Sequence, residues 1–409
     1  MRALVMLPAL AVAATLAASP AAAAPTISVD VETGRVLAHE EAFRLWAPAS
    51  LTKLMTALVA FRAVERGEAT METPVVMSEY ASAKPASKMW WKPGTTVPLR
   101  DAIEIIIVKS GNDVATAIAE TIGGTELEFV EMMNEEARAL GMVDTAFGNA
   151  SGLPDPRHVT TARDMAVLAR AIRRDFPQYD DIFELEGLDV GAEKPILSYN
   201  LMLGRFEGAD GMKTGFVCAS GFNIVNSATR PDGEGGERTI VSVVLGAPDQ
   251  EVRAETSAAL LQTGFDAMLE GAGDAPTLET FEPYEPRGPR ADITGQICTD
   301  EARANRYDGR DVEGRMVLDT PLITPRQRAP IVAAIDPMPP LPLPKEKPKR
   351  FGGTGPDAPE TAEGEERAPD APLPHMNPAR EAARAGLATD ALRPGSEPGA
   401  AASKLAAVR

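Results

Sequence analysis

The chain has 409 residues, long enough for two domains or for one large domain with appendages. It carries 59 acidic against 41 basic residues, a formal net charge of −18 and a sequence pI near 4.8. That balance repels both the phosphates of nucleic acid and an anionic membrane surface, so neither is an expected partner.

The first segment reads as an export signal. Met1 and Arg2 give a short positive end, ALVMLPALAVAATLAA an apolar core, and ASPAAAAP small residues for cleavage, which puts a signal peptide over 1–24. A retained membrane anchor fits less well, because the apolar run is short for a bilayer and is interrupted by Pro8. No later segment is apolar enough to span a membrane. The sequence therefore predicts an exported protein of the periplasm or cell envelope, soluble after signal cleavage. Disulfides persist in such compartments, and the sequence leaves a Cys218–Cys298 bridge and two free or buried thiols equally open.

Thr26 to Glu40 alternates apolar and polar residues around Thr33-Gly34, a β-hairpin pattern. The apolar run after Ser50 reads as a helix. LRDAIEIIIVKSGNDVATAIAETIGG reads as two helices broken at Ser110-Gly111, and ELEFVEMMNEEARALG and TARDMAVLARAIRRDF as two more. From Gly208 the pattern changes to three strands, GMKTGFV, FNIVNSAT and TIVSVVLGA, and EVRAETSAALLQTGFDAML closes as a helix. Strands at both ends around a helical block predict an α/β domain over 25–271, an antiparallel sheet flanked by helices with a helical subdomain inserted at about 70–190. Beyond Gly271 the chain holds 21 of its 35 prolines and few aromatics. Residues 272–409 are therefore expected to be a Pro/Ala-rich, largely disordered tail that buries no core. Within it AREAARAGLATDAL has helical character but too weak an apolar face for a strong membrane anchor.

A Ser-His-Asp triad has little to work with. There are three histidines, of which His375 lies in the tail and His39 in a hairpin strand, and no serine sits in a G-x-S-x-G elbow. The scattered histidines and two distant cysteines have no ligand spacing, so no metal or other cofactor is expected. A lysine base remains. Ser50 and Lys53 lie three apart, on one face of a helix that Ser50 opens, where the Ser50 N–H has no helical partner and can face an oxyanion. Burial and a neighbouring cation would depress Lys53 toward the neutral amine that such a base requires.

Alone this pair is weak, since a serine cap and a surface lysine account for it equally well. Two further pieces change the weight. Ser110, Gly111 and Asn112 stand at a helix break, and Lys213, Thr214 and Gly215 open a hairpin strand. There Gly215 permits close backbone approach, so the strand can take up an extended peptide along its edge. The order Ser-x-x-Lys, Ser-x-Asn, Lys-Thr-Gly is the mark of penicillin-binding proteins and class A β-lactamases.

From Ala24 to Gly271 the sequence resembles the D-alanyl-D-alanine carboxypeptidases among the low-molecular-mass penicillin-binding proteins. PASLTKLMTA, KSGNDVATAIAE, NASGLPD, VTTARDMAVLA, GADGMKTGF and VVLGAPDQEVRAETSAALL carry the likeness. The resemblance implies a penicillin-binding protein/β-lactamase-like fold with the site between sheet and helices. Its catalytic residues would be Ser50 as nucleophile, Lys53 as base and Ser110 as proton relay to the leaving D-alanine. Lys213 would hold the charge of that relay, and Asn112 would bind substrate or tether Lys53. Thr214 and Arg253 would meet the terminal carboxylate, with Gly215 alongside, and the N–H groups of Ser50 and Phe216 would form the oxyanion hole. The partners implied are peptidoglycan stem peptides ending in D-Ala-D-Ala, with β-lactams as covalent inhibitors. Phe216 stands where several relatives carry histidine. Asn149 and Ser151 read as structural, and Trp90-Trp91 as packing more than cleft lining. Three other readings stand beside this one: a D,D-endopeptidase cutting cross-links, a β-lactamase, and a non-catalytic peptidoglycan-binding scaffold. A β-lactamase is disfavoured because no glutamate is evident to activate a deacylating water.

Overall fold

The computed structural model describes residues 24–271, 273–282, 288–304, 316–326 and 328–338. The expected signal peptide, apart from its last residue, and the helical stretch near the C-terminus lie outside them. In chain order the strands are β1 (Thr26–Asp30), β2 (Val36–Glu40), β3 (Pro74–Val76), β4 (Thr96–Pro98), β5 (Gly187–Asp189), β6 (Ile196–Leu197), β7 (Ala209–Val217), β8 (Gly221–Pro231), β9 (Glu237–Ala247) and β10 (Val332–Ala334). The helices are α1 (Thr52–Glu65), α2 (Glu79–Ser82), α3 (Leu99–Val108), α4 (Asn112–Gly123), α5 (Glu126–Ala139), α6 (Ala162–Asp175), α7 (Asp180–Phe183), α8 (Gln250–Leu269), α9 (Thr294–Ile297) and α10 (Asp300–Ala304).

Five strands form one antiparallel sheet in the order β2-β1-β9-β8-β7. The period of two in β9 decides what each face meets. Val241, Val243 and Leu245 join the large core that contains Met165 and Leu168 of α6. The alternate residue Ile240 packs with Ala254, Ala258 and Leu261 of α8. Ser242 on that same face pairs its hydroxyl with Ser257 of α8 at 2.8 Å. Both helices are capped from the sequence: the Thr161 hydroxyl accepts the Asp164 N–H at 3.0 Å, and the Asp249 carboxylate accepts that of Val252 at 2.8 Å. The helical block between β2 and β7 buries the apolar faces of α1, α3, α4 and α5 in that large core.

The sequence assigned everything after Gly271 to a tail without a core, and here the structure differs. Leu278, Ile297, Ile323 and Ile335 are buried, β10 adds parallel to β5, and Cys298 is bonded to Cys218 in the β7–β8 turn. Isolated apolar anchors and one covalent tie dock a segment whose composition alone has too few apolar residues to fold by itself. Among the described residues no helix is long and apolar enough to cross a membrane.

Candidate active site

The turn that carries Ser50 comes first. A single 3₁₀ turn, Ala49–Leu51, precedes α1, with Ala49 at φ +49°, a left-handed value that a non-glycine residue adopts only when its surroundings hold it. What holds it is visible. The Asn223 side-chain amide of β8 donates to the carbonyls of Ala47 and Pro48 at 3.0 and 3.3 Å, while its oxygen accepts the Gly246 N–H at 2.9 Å. Gly152, at φ +85°, presses against the turn from the other side: a Cβ there would lie 1.9 Å from the Ala49 carbonyl oxygen. A Cβ on Gly215 of β7 would stand 3.1 Å from the Ser50 nitrogen. The close approach anticipated at Gly215 is thus first an approach of the chain's own Ser50 turn. Among the described residues β7 is nevertheless an edge strand of the sheet.

Lys53 lies one turn into the helical run and is wholly buried. Its Nζ is 3.1 Å from Ser50 Oγ, 2.8 Å from Asn112 Oδ1 and 2.5 Å from the Ser151 carbonyl oxygen. The orientation of the Asn112 amide is fixed, because Nδ2 donates to the Pro85 carbonyl at 3.0 Å. Burial pushes Lys53 well below the ordinary lysine value, and the nearby Lys213 charge adds to the effect, with Asp113 opposing. A neutral amine has two N–H groups and one lone pair. Asn112 Oδ1 and the Ser151 carbonyl can only accept, so they take the two hydrogens, which leaves the lone pair for the Ser50 hydroxyl. The three neighbours therefore match a lysine acting as base.

Ser110 occupies the break between α3 and α4 at φ +65°. Its Oγ is buried and has no hydrogen-bond partner among the described residues. The structure does not bring it into hydrogen-bonding range of Lys213, whose Nζ donates instead to the Thr214 carbonyl at 2.9 Å. Lys213 is buried and is pushed down to about 7, first by burial and then by the Arg253 charge. Arg253, near the start of α8, is buried. It is 2% exposed, its Nη2 donates to the Tyr199 carbonyl at 2.8 Å, and its Nε has no partner among the described residues. Burial depresses it to about 10, so it stays charged at neutral pH.

These groups converge on a cleft of about 310 Å³, with Ser50, Ser110 and Asn112 on one side and Thr214, Gly215, Phe216 and Arg253 on the other. Phe216 lies against Phe222 with ring centroids 4.5 Å apart and the planes tilted by 40°, an apolar wall to the cleft. A larger cleft of about 1110 Å³ includes Asp210 at the start of β7 together with Arg173, Asp180 and Arg230, and contains none of the motif residues.

His158 belongs to the structural frame. Its Nε2 pairs with Thr52 Oγ1 at 3.0 Å, and burial holds its ring down to about 4, hence neutral. Sequence reasoning missed the Ser151 carbonyl as a partner of Lys53, and Asn223 and Gly152 as the props of the nucleophile turn. NASGLPD was a visible signal for two of these, read there as a loop brace. Asn149 is that brace: its Oδ1 accepts the N–H groups of Ser151 and Gly152 at 3.1 and 2.8 Å.

A family model described as D-alanyl-D-alanine carboxypeptidase matches residues 12–249, more than half of the chain. The D-alanyl-D-alanine carboxypeptidase DacC of Escherichia coli is 34% identical over 245 residues, 58% of this chain and 60% of that protein, and DacF of Bacillus subtilis is 30% identical over 246. The chain thus spans about 60% of the length of the curated relatives it matches. Among solved structures, penicillin binding protein 5 of Haemophilus influenzae superposes with a TM-score of 0.56 at 33% identity, over 60% of this chain and 71% of that one. Penicillin-binding protein D2 of Listeria monocytogenes, in a cefotaxime-bound form, gives 0.53 at 27%, over 60% and 97%. With the three motifs converging on one cleft in this fold, the chain belongs to the D-alanyl-D-alanine carboxypeptidase family.

Proposed function

We propose that the protein is a serine-type D,D-carboxypeptidase that removes the terminal D-alanine from peptidoglycan pentapeptides. The observation that carries this reading is the environment of Lys53 Nζ, where two pure acceptors and the Ser50 hydroxyl leave the amine's lone pair for the nucleophile's proton. Ser50 Oγ attacks the carbonyl of the penultimate D-alanine while its proton passes to Lys53. The oxyanion is held by the backbone N–H groups of Ser50 and Phe216. The C–N bond then breaks, the leaving amine takes a proton through Ser110, and D-alanine departs. Water attacks the remaining ester, Ser50 regains its proton, and the shortened stem is released. In this reading the terminal carboxylate meets Thr214 and the buried Arg253, whose unpartnered Nε supports an anion there. Asn112 serves by tethering Lys53 rather than through a substrate contact of its own.

The reading includes export to the periplasm or cell envelope, stem peptides as partners, and β-lactams as inhibitors that acylate Ser50. The cefotaxime-bound relative supports the last point. Incubating the purified protein with a D-Ala-D-Ala-terminated pentapeptide should release D-alanine, and Ser50→Ala should abolish both that release and labelling by a fluorescent penicillin. Absence of release from the wild type, or undiminished release from Ser50→Ala, would sink it. A cross-linked stem dimer run in parallel separates trimming from cross-link cleavage.

A further inference from the structure

The loop between α2 and β4 stands apart from the rest of this acidic chain. Residues 80–100 contain Lys84, Lys88, Lys92 and Arg100 and no acidic residue. Lys84 is spoken for, being 2.7 Å from Glu126, but Lys92 is exposed. Within the loop two adjacent tryptophans part ways: Trp91 packs on the core, whereas Trp90 is 71% exposed, against 53% for Tyr80 and 41% for Tyr199. Trp90 also has φ +62°, a backbone region that a bulky L-residue rarely enters. An indole shown to solvent by a disfavoured backbone runs against both packing and conformation, and such outliers cluster where something binds.

The loop is also fixed to the catalytic machinery. The Asn112 N–H donates to the Ser87 carbonyl at 2.7 Å, the Ser87 hydroxyl to the Lys109 carbonyl at 3.0 Å, and the Met89 N–H to the Asp113 carboxylate at 2.8 Å. Ala86 and Ser87 line the catalytic cleft. Three residues further on, Trp90 lies within about 11 Å of that rim by chain length alone. The half-buried Lys88 ammonium donates to the Ser82 carbonyl at 3.1 Å and sits 4.3 Å from the indole centroid, so positive charge lies beside the aromatic surface.

We propose that residues 84–92 form a glycan-binding platform at the mouth of the cleft, where Trp90 stacks on a sugar ring of the strand that carries the stem peptide and Lys88 and Lys92 pair with that strand's carboxylates. Pyranose rings offer an apolar C–H face suited to an aromatic ring, and peptidoglycan strands are rich in carboxylate, the complement of this basic loop. The proposal rests on the peptidoglycan reading above and adds a subsite that reads the polymer rather than the peptide end.

The test compares a soluble pentapeptide lacking sugar with purified sacculi that carry the same pentapeptide. Trp90→Ala should keep D-alanine release from the soluble peptide within about two-fold and raise KM on sacculi about five- to ten-fold, with Trp90→Phe recovering most of the loss. Lys92→Glu should weaken sacculus turnover about three-fold in a salt-sensitive way. Equal losses on both substrates would make the loop a mere prop of the site, and unchanged sacculus kinetics would remove the platform; either result overturns the proposal. So would Trp90-dependent binding to anionic lipid vesicles with sacculus binding unaffected. Should the wild type release D-alanine from neither substrate, the carboxypeptidase reading fails while the platform is still decided. In that case Ser50→Ala and its Trp90→Ala double variant are co-sedimented with sacculi, and about five-fold less of the double variant should pellet.

Discussion

Lys53 and Lys213 are both withdrawn from solvent at the same cleft, yet the wall at the head of α1 surrounds its lysine with three oxygens and the wall formed by β7 gives its lysine one. Burial lowers the pKa of both. It does not tell them apart. The neighbours do, because acceptors without hydrogens fix where the Lys53 protons go and leave its lone pair facing the Ser50 hydroxyl. Lys213 has no such frame, and burial with the Arg253 charge holds it near 7. A substrate carboxylate arriving beside Lys213 and Arg253 would favour its ammonium form.

The strongest way to break this contrast is Lys53→Met, of similar length but without a base. Acylation by a fluorescent penicillin should fall about 10³-fold while the melting transition stays cooperative. A rate near that of the wild type would mean that the base lies elsewhere. The second prediction concerns pH. Lys213 loses its proton near pH 7 in the folded protein, whereas the unfolded chain keeps it until near the ordinary lysine value of 10.5. Between these values the unfolded state binds more protons, so this group adds stability as pH rises. Activity should run the other way: penicillin acylation should decline above pH 7 by up to about ten-fold per pH unit. In Lys213→Arg, whose charge does not titrate there, that limb should flatten even if the overall rate is lower. A wild-type profile flat from pH 7 to 9 would contradict a role for the ammonium.

The smallest effect is a control. His158 is also buried and depressed, to about 4 from 6.5, but it faces Thr52 and Phe147 rather than the cleft. The unfolded state takes up its proton first, so stability is lost as pH falls from 6.5 through 4. Against the wild type, His158→Gln should soften that fall by roughly 7–14 °C in Tm, with penicillin acylation at pH 7 nearly unchanged.

The contrast between the two walls also marks what could be read from the chain. Ser50 with Lys53, Ser110 with Asn112 and Lys213 with Thr214 were legible because each is a short-range spacing in a locally predictable element, and the helix break at Ser110 follows from the glycine behind it. The alternation in β9 gave the sheet, and the apolar runs gave the helical block. The Ser151 carbonyl was hidden because a backbone oxygen has no side-chain signature. Asn223 was hidden because it acts across 176 residues on the Ala47 carbonyl. The docked segments after Gly271 were masked by their own proline content, since Leu278, Ile297, Ile323 and Ile335 are single anchors rather than a periodic face. The same locality limits what could be said of Ser110 and Lys213: motif order says which residues are brought near one another, not which atoms touch.

Gly152 and Gly215 close on the nucleophile turn from two sides, and this has a bearing on which substitutions the chain can tolerate. Neither glycine has a side chain to hold a proton or a substrate, yet any side chain at Gly152 must displace the Ala49 carbonyl and with it the serine that follows. In a saturation library screened for penicillin labelling, position 152 should be about as intolerant as position 50. A reader of such a map who equates intolerance with chemistry would then assign a catalytic role to a residue whose whole contribution is to take up no room.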